Sequence, residues 1–366
     1  MIVNRHELLK AVTQAKEAVA QKSSFAGSDL INFAEDCIVA FNGRIVCQIP
    51  FEHEFQCSVK YGDFVKALQK MPEQEVSIEQ LKKVLRIKSS GIQTELFLYQ
   101  ENSLFERARA ALPELASGTV YVPETFGEEI RRVLLPDASE TTSGVYINSQ
   151  HMISLDTRTI SVVRRTCLRT VGEDTVTCEA DSDFEFYTDV KTAKIVSTIA
   201  DKSSTWTLHN NWLYFYQDDG TIYGFSGLYA KNYPIDKYMP VFKKILSEDT
   251  LYLADFPKEM PKVLERLLLF SAAQDRTQFR PITLTLSGSQ MTFFSESTSG
   301  NLEEIIELEN EESHLIKDIK GKIDLYGLQF CLDHTLEFTI VPFQHRCAFV
   351  FNAGPWTGTT IINIED

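Results

Sequence analysis

One pattern occurs three times along the chain, and no other feature narrows the possible folds as much. A run alternating apolar and polar residues leads into a short amphipathic helix at "FQCSVKYGDFVKALQKM", again at "FEFYTDVKTAKIVSTIADK", and again at "KGKIDLYGLQFCLDHT". Two more alternating runs follow each marker, with a turn at "SSG", "DDG" or "NAG". The period of roughly 120 to 130 residues is far too long for a solenoid unit.

A second helical stretch precedes each marker. In "NRHELLKAVTQAKEAVAQK" the residues Leu8, Val12, Ala15 and Val19 share a face; in "PETFGEEIRRVLL" it is Phe126, Ile130, Val133 and Leu134. In "PKEMPKVLERLLLF" the stripe is Val263, Leu264 and Leu267, and Leu269 points away from it. Strand-like alternation, as in "LINFAEDCIVAFNGRIVCQIPF", fills the gaps. The expected fold class is α+β: three repeated domains, each with two helices packed on antiparallel sheet, at residues 1–118, 119–248 and 249–366.

Charge adds a second constraint. The 366 residues include 51 acidic and 36 basic side chains, a net charge of −15. The six helical windows nevertheless sum to +5, so the remainder carries −20. Lys66 and Lys70 stand opposite the stripe of Phe64, Leu68 and Met71. Lys10, Arg131, Arg132, Lys194 and Lys262 stand away from the apolar stripes of their own helices. An acidic chain with cationic helix faces fits a small basic surface inside an acidic shell, and argues against a protein coated in nucleic acid.

Other classes find little support. The seven cysteines are odd in number and form no CxxC, so reduced core thiols are expected, with neither a disulfide frame nor a zinc site. No apolar run is long enough to span a membrane, and charges interrupt the N-terminal segment, so a cytoplasmic protein is expected. The sequence "GFSG" lacks the spacing of a nucleophile elbow, and no GxxxxGK[ST], HExxH or GxGxxG occurs. No enzyme and no cofactor is expected.

The opening "NRHELLKAV", "LPEL" at the end of the first unit and "VPETFGEEIRRVL" at the start of the second resemble bacterial-type DNA sliding clamps, the β processivity subunit of the replicative polymerase. So do "LYAKNYPIDKYMPVF" between the second and third units and "SGSQMTFFSES" with "LEEIIEL" in the third. The resemblance spans the whole chain. It implies a DNA clamp fold assembled head to tail as a closed, ring-shaped homodimer around double-stranded DNA, without sequence preference. It also implies a cytoplasmic, nucleoid-associated role in DNA replication, in which DNA polymerase and a clamp-loader ATPase bind through short apolar peptides.

Carried over residue by residue, the DNA-facing positions are Lys10, Lys66, Lys70, Arg131, Arg132, Lys194 and Lys262. The partner-peptide pocket comprises Ile147, Leu155, Ile160, Pro240, Ile361, Ile362 and Ile364. The dimer interface includes Leu269, Phe270, Glu303 and Glu304. The chain departs from the family at "DTRT", where a Gly-His-Arg turn is usual, and in its tail "NIED", which places Glu365 and Asp366 beside the pocket. The family's interface arginines correspond to "QTELFL" here. These departures keep a second reading in view, a clamp-fold scaffold or decoy that binds clamp clients without encircling DNA.

Overall fold

The structure is a computed structural model and describes residues 1–20, 27–99, 105, 112, 120–135, 144–156, 158–165, 168–171, 174–177, 184–228, 233–271, 281–297, 300–313, 318–343 and 346–364. Its elements follow one order three times. The first set is β1 (Ile2–Asn4), α1 (Arg5–Gln14), β2 (Leu30–Ala34), β3 (Cys37–Phe41), β4 (Ile45–Pro50), β5 (Cys57–Lys60), α2 (Tyr61–Lys70), β6 (Glu75–Gln80), β7 (Val84–Ser89) and β8 (Ile92–Phe97). The second is β9 (Val120–Tyr121), α3 (Phe126–Val133), β10 (Val145–Asn148), β11 (His151–Leu155), β12 (Thr159–Arg164), the hairpin β13–β14 (Leu168–Val171, Asp174–Thr177), β15 (Glu185–Thr188), α4 (Val190–Ala200), β16 (Thr205–His209), β17 (Trp212–Tyr216) and β18 (Ile222–Ser226).

A connecting helix, α5 (Ile235–Ser247), leads to the third set. This comprises β19 (Tyr252–Asp255), α6 (Met260–Ser271), β20 (Pro281–Ser287), β21 (Gln290–Ser297), β22 (Gly300–Glu307), β23 (Glu309–Ser313), β24 (Ile319–Asp324), α7 (Leu325–Leu332), β25 (Glu337–Phe343), β26 (Arg346–Ala353) and β27 (Trp356–Ile364).

The helices form where apolar spacing and capping agree. Asn4 caps α1 by accepting from the N–H of His6 at 2.9 Å and of Glu7 at 3.4 Å. The helix buries Leu8, Ala11 and Val12, and then tightens into a 3₁₀ turn over Ala15–Ala18, shorter than the sequence period alone suggests. Helix α2 buries Phe64, Ala67 and Leu68. Asp324 caps α7 through the N–H of Tyr326, and nearly every side chain of that helix is buried. Gly327 lets α7 close on the sheet, because a Cβ there would collide with Thr159 Oγ1. The predicted turns hold: Ser90 and Gly91 both have positive φ, 34° and 80°, as a tight hairpin between right-twisted strands requires.

Contacts divide the chain into two compact units. The first is Met1–Gly127, Cys167–Phe184 and Ile195–Gly227; the second is Glu128–Thr166, Glu185–Lys194 and Leu228–Asp366. The division cuts through the second repeat because sheets run on from one repeat to the next. In the first unit an eight-stranded sheet has the order β5-β2-β3-β4-β18-β17-β16-β9, and a four-stranded sheet the order β1-β6-β7-β8. Strand β18 pairs with β4, with Tyr223 opposite Cys47 and Gly224 opposite Val46. In the second unit a thirteen-stranded sheet includes the path β15-β10-β11-β12-β27-β24-β20-β21-β22. There β27 pairs with β12, with Thr359 opposite Ile160 and Trp356 opposite Val163.

Each repeat also pairs its own strands alike: β1 with β6, β9 with β16 and β19 with β25, and β2 with β5, β10 with β15 and β20 with β24. The cores are apolar and aromatic, built around Phe33, Phe64, Phe126, Trp206 and Phe215 in the first unit and Phe256, Phe293, Phe338, Phe349 and Trp356 in the second.

Candidate functional site

In the first unit α1 packs beside α2, and their outer surface carries Lys10, Lys66 and Lys70, all exposed. A cleft of about 570 Å³ adjoins Lys10, and His6, Lys16 and Lys202 also line it. Lys10 is not wholly unopposed. Burial works against the charge of Asp219, yet hydrogen bonds from Thr221 and Gln14 and the nearby Lys10 hold its carboxyl below the usual range. In the second unit Arg131, Lys194 and Lys262 are exposed, while Arg132 is half-exposed and engaged by Glu128 of the same helix at 2.7 Å. Sequence reasoning missed Lys16 and Lys202, although both lie within the windows it summed.

The expected pocket residues fall on two faces of one sheet. Leu155 and Ile160 join Tyr146, Ile153, Val162, Tyr187, Tyr233 and Phe242 in one buried cluster. Opposite residues in the ladders, Tyr146 with Ile153, Ile153 with Val162 and Leu155 with Ile160, share that face. Ile147 and Ile362 are buried on the other face: Ile147 alternates with Tyr146, and Ile362 alternates with Ile361 and lies next to Gly321. Helix α5 covers the first face, with Ile235, Tyr238 and Met239 packed on the cluster. Tyr146 and Tyr187 stack on Tyr233, with ring centroids 5.9 Å and 4.4 Å apart, and Tyr233 donates its hydroxyl to the Ile153 carbonyl at 3.3 Å.

Leu155 and Ile160 are therefore filled against the protein's own helix. Of the remaining expected residues, Ile361 is half-buried, while Pro240, inside α5, and Ile364 are exposed. The tyrosines escaped notice because each occupies an apolar strand phase where any large residue would fit. Glu365, Asp366 and Thr157 of "DTRT" lie outside the described residues. Next to this face Asp156 accepts from the N–H groups of Arg158 and Thr159 at 2.7 Å each. Burial pushes the Asp156 and Asp324 carboxyls up, with Arg158 between them working in the opposite direction.

Among the strands that end sheets are β8, paired only with β7, and β22, paired only with β21. Beside β22, Leu269 on α6 is 74% exposed and Phe270 half-buried. Glu303 is exposed, but Glu304 is held within the chain by Arg266, Nε to Oε1 at 2.6 Å and Nη2 to Oε2 at 2.9 Å. Sequence reasoning missed Phe97, 77% exposed on β8, and Ile305, 55% exposed on β22. Both were detectable, since each is a large apolar residue in the polar phase of its strand, beside Glu95 and Glu303 respectively.

Among the described residues no group of His, Cys, Asp and Glu is arranged to hold a metal ion. Cys37, Cys47, Cys57, Cys331 and Cys347 are buried and form no disulfide among the described residues, while Cys167 and Cys178 lie outside them. Among the described residues no helix is long and apolar enough to cross a membrane.

No family model and no curated protein matches the chain. Solved structures do. The DNA polymerase III beta chain of Streptococcus pneumoniae superposes with a TM-score of 0.77 at 14% identity, covering 99% of this chain and 98% of that one. The DNA polymerase III beta subunit of Thermotoga maritima gives 0.74 at 15% identity, and the DNA polymerase sliding clamp of Bacillus subtilis gives 0.74 at 14%, each with the same coverage. The chain thus has the DNA clamp fold from end to end.

Proposed function

We propose that this chain is a DNA sliding clamp: two copies close head to tail around duplex DNA and tether a polymerase. The observation that carries the reading is the joining rule inside the chain. The third strand of the first hairpin set pairs with the last strand of the following repeat, β4 with β18 and β12 with β27. The same rule applied once more pairs β22 with β8 of another copy, which would cover both of those edges. Three domains per chain, six per ring, follow from that symmetry.

The cationic helix faces support DNA in the hole. Lys10, Lys66, Lys70, Arg131, Lys194 and Lys262 would meet phosphates, which carry no sequence information. Non-specific contacts of this kind hold DNA at roughly 10⁻⁴ to 10⁻⁶ M at physiological salt, weak enough to slide. Closure rather than affinity would prevent loss, and a tethered polymerase gains effective concentration at the primer end. The reading assigns the chain no chemistry of its own and places it with the replication machinery in the cytoplasm. Clients, a polymerase and a loader ATPase among them, would dock apolar peptide anchors near Ile361 and Pro240.

Light scattering after size exclusion tests the assembly: a dimer is expected at micromolar concentration, and a monomer overturns the ring. Retention on nicked circular DNA with rapid loss after linearisation tests encirclement. Equal retention on both forms would instead mark a scaffold that binds clients without enclosing DNA.

A further inference from the structure

On the reading that clients dock apolar anchors near Ile361 and Pro240, we infer that the clients of this chain carry carboxylates beside those anchors, taken up by a cationic strip that Lys243 and Arg164 form along α5. The helix is unlike the rest of the chain: from Lys237 to Ser247 it has three lysines and no acid, whereas the chain as a whole carries −15. Pro240, Lys243 and Leu246 stand three residues apart along one row of it, all exposed, Leu246 at 48%. A peptide with an acid between two apolar side chains complements that row. The strip also adjoins the proposed anchors. Val241 and Ile245 of α5 pack on Ala348 and Val350, the face that Ile361 shares.

The sheet beneath supplies the second charge. Ile160, Val162 and Arg164 share one phase of β12, and His151 lies opposite Arg164 on β11, so both extend the face that α5 covers. Burial, with the charges of Lys243 and Arg164, holds the His151 imidazole below its usual range, which puts both cations near one side chain. Among the described residues no ion pair engages Lys243 or Arg164. The neighbouring acids stand elsewhere. Glu185 lies across β10 from His151 and interacts with the Tyr146 hydroxyl. Asp236, also near Tyr146, comes two helical turns before Lys243, roughly 10 Å away. Glu248 and Asp249 follow the last turn, where Lys244 also lies. Duplex DNA fits this strip less well. Helix α7 packs on the opposite face of the sheet, with Gly327 against Thr159 and Thr360, so α5 lies on the side away from a helix that would line the hole.

Fluorescence polarisation of the full chain with two labelled peptides tests this: a polymerase-derived apolar peptide with glutamate at its polar positions, and its counterpart with glutamine there. The glutamate peptide should bind several-fold tighter at about 50 mM NaCl, and the advantage should vanish toward about 500 mM. The double variant Lys243→Glu, Arg164→Glu should abolish the preference while the glutamine peptide's affinity and the melting temperature stay unchanged, since both side chains are exposed. Lys243→Arg should keep the preference. Equal affinities for the two peptides, or a preference that survives the double reversal, overturns the inference and leaves client docking intact. A linear DNA duplex that binds the wild type and not the double variant would assign the strip to DNA and overturn the inference too. Binding of neither peptide overturns the docking reading, and this inference with it.

Discussion

Trp356 donates its indole N–H to the hydroxyl of Ser161 at 2.9 Å, with both side chains fully buried, across the β12–β27 ladder that joins the second repeat to the third. The ring of His334 stacks on the indole at 4.0 Å. Ser161→Ala would leave a buried donor unsatisfied, which costs about 1–3 kcal/mol. Urea denaturation should show a lower midpoint with unchanged slope. In the double variant with Trp356→Phe the two losses should sum to less than their separate values, because the orphaned N–H is gone.

The open edges make a different prediction. Phe97 and Leu269 are 77% and 74% exposed, so changing them touches no core. If two copies join through these edges, Phe97→Asp or Leu269→Asp should dissociate them while changing the stability of a single chain by no more than about 0.5 kcal/mol. Light scattering and thermal melting read the two quantities separately. A dimer that survives both substitutions would move the joint elsewhere. Glu304→Gln, by contrast, should change the dissociation constant by no more than about twofold, since its carboxylate is spent on Arg266 within the chain.

Much of this architecture was legible in the sequence, for a physical reason. Period-2 alternation, turn glycines and the apolar stripes of α2, α3 and α6 are local signals, and burial of Phe64, Leu68, Phe126, Ile130, Leu264 and Leu267 follows from them. The pairing of β4 with β18 is not local: Val46 and Gly224 carry no mutual signature, so the contact-defined division through the second repeat could not be read in advance. The pocket suffered the same limit. The family resemblance groups Leu155 with Ile160, and the two do share one buried cluster, but it could not reveal that Tyr233 and Phe242 of the connecting segment fill the space beside them.

That filling redirects the test of client binding. Ile362 is fully buried and opposite Cys347, so deleting residues 362–366 would remove a core side chain, at a cost of about 2–5 kcal/mol. Such a truncation would confuse unfolding with loss of a site. Ile361→Asp is the cleaner probe, because Ile361 is half-buried on the face shared with Ala348 and Val350. Binding of a polymerase-derived apolar peptide, followed by fluorescence polarisation, should weaken at least tenfold, about 1.4 kcal/mol. Undiminished binding would remove Ile361 from the docking surface.

Acidity should act through Asp156 and Asp324. Burial raises both carboxyls, against the N–H groups of Arg158 and Thr159 at Asp156 and of Tyr326 at Asp324. A folded pKa above the unfolded value favours the protonated fold. The contribution is complete below the ordinary carboxylate range and is lost as pH rises through the raised values. Asp156→Asn keeps an oxygen for the two N–H groups and removes the charge. Its melting temperature should exceed that of the wild type near neutral pH, and the gain should shrink toward about pH 4. An equal gain at every pH would assign the effect to something other than ionisation.

Lys66 and Lys70 are exposed one turn apart on α2, a helix whose opposite face buries Phe64, Ala67 and Leu68. Among the described residues no ion pair engages either lysine, although the chain as a whole carries −15. Replacing both with Glu reverses the local field without touching the core, so thermal stability should change by no more than about 0.5 kcal/mol. If these side chains face duplex DNA in the ring, two phosphate contacts are lost and two repulsions gained. Retention on nicked circular DNA should fall, most clearly at low salt, and the slope of log affinity against log salt should drop by roughly two. Unchanged retention with an intact dimer would put these lysines outside the hole and return the basic face of α2 to ordinary solvation.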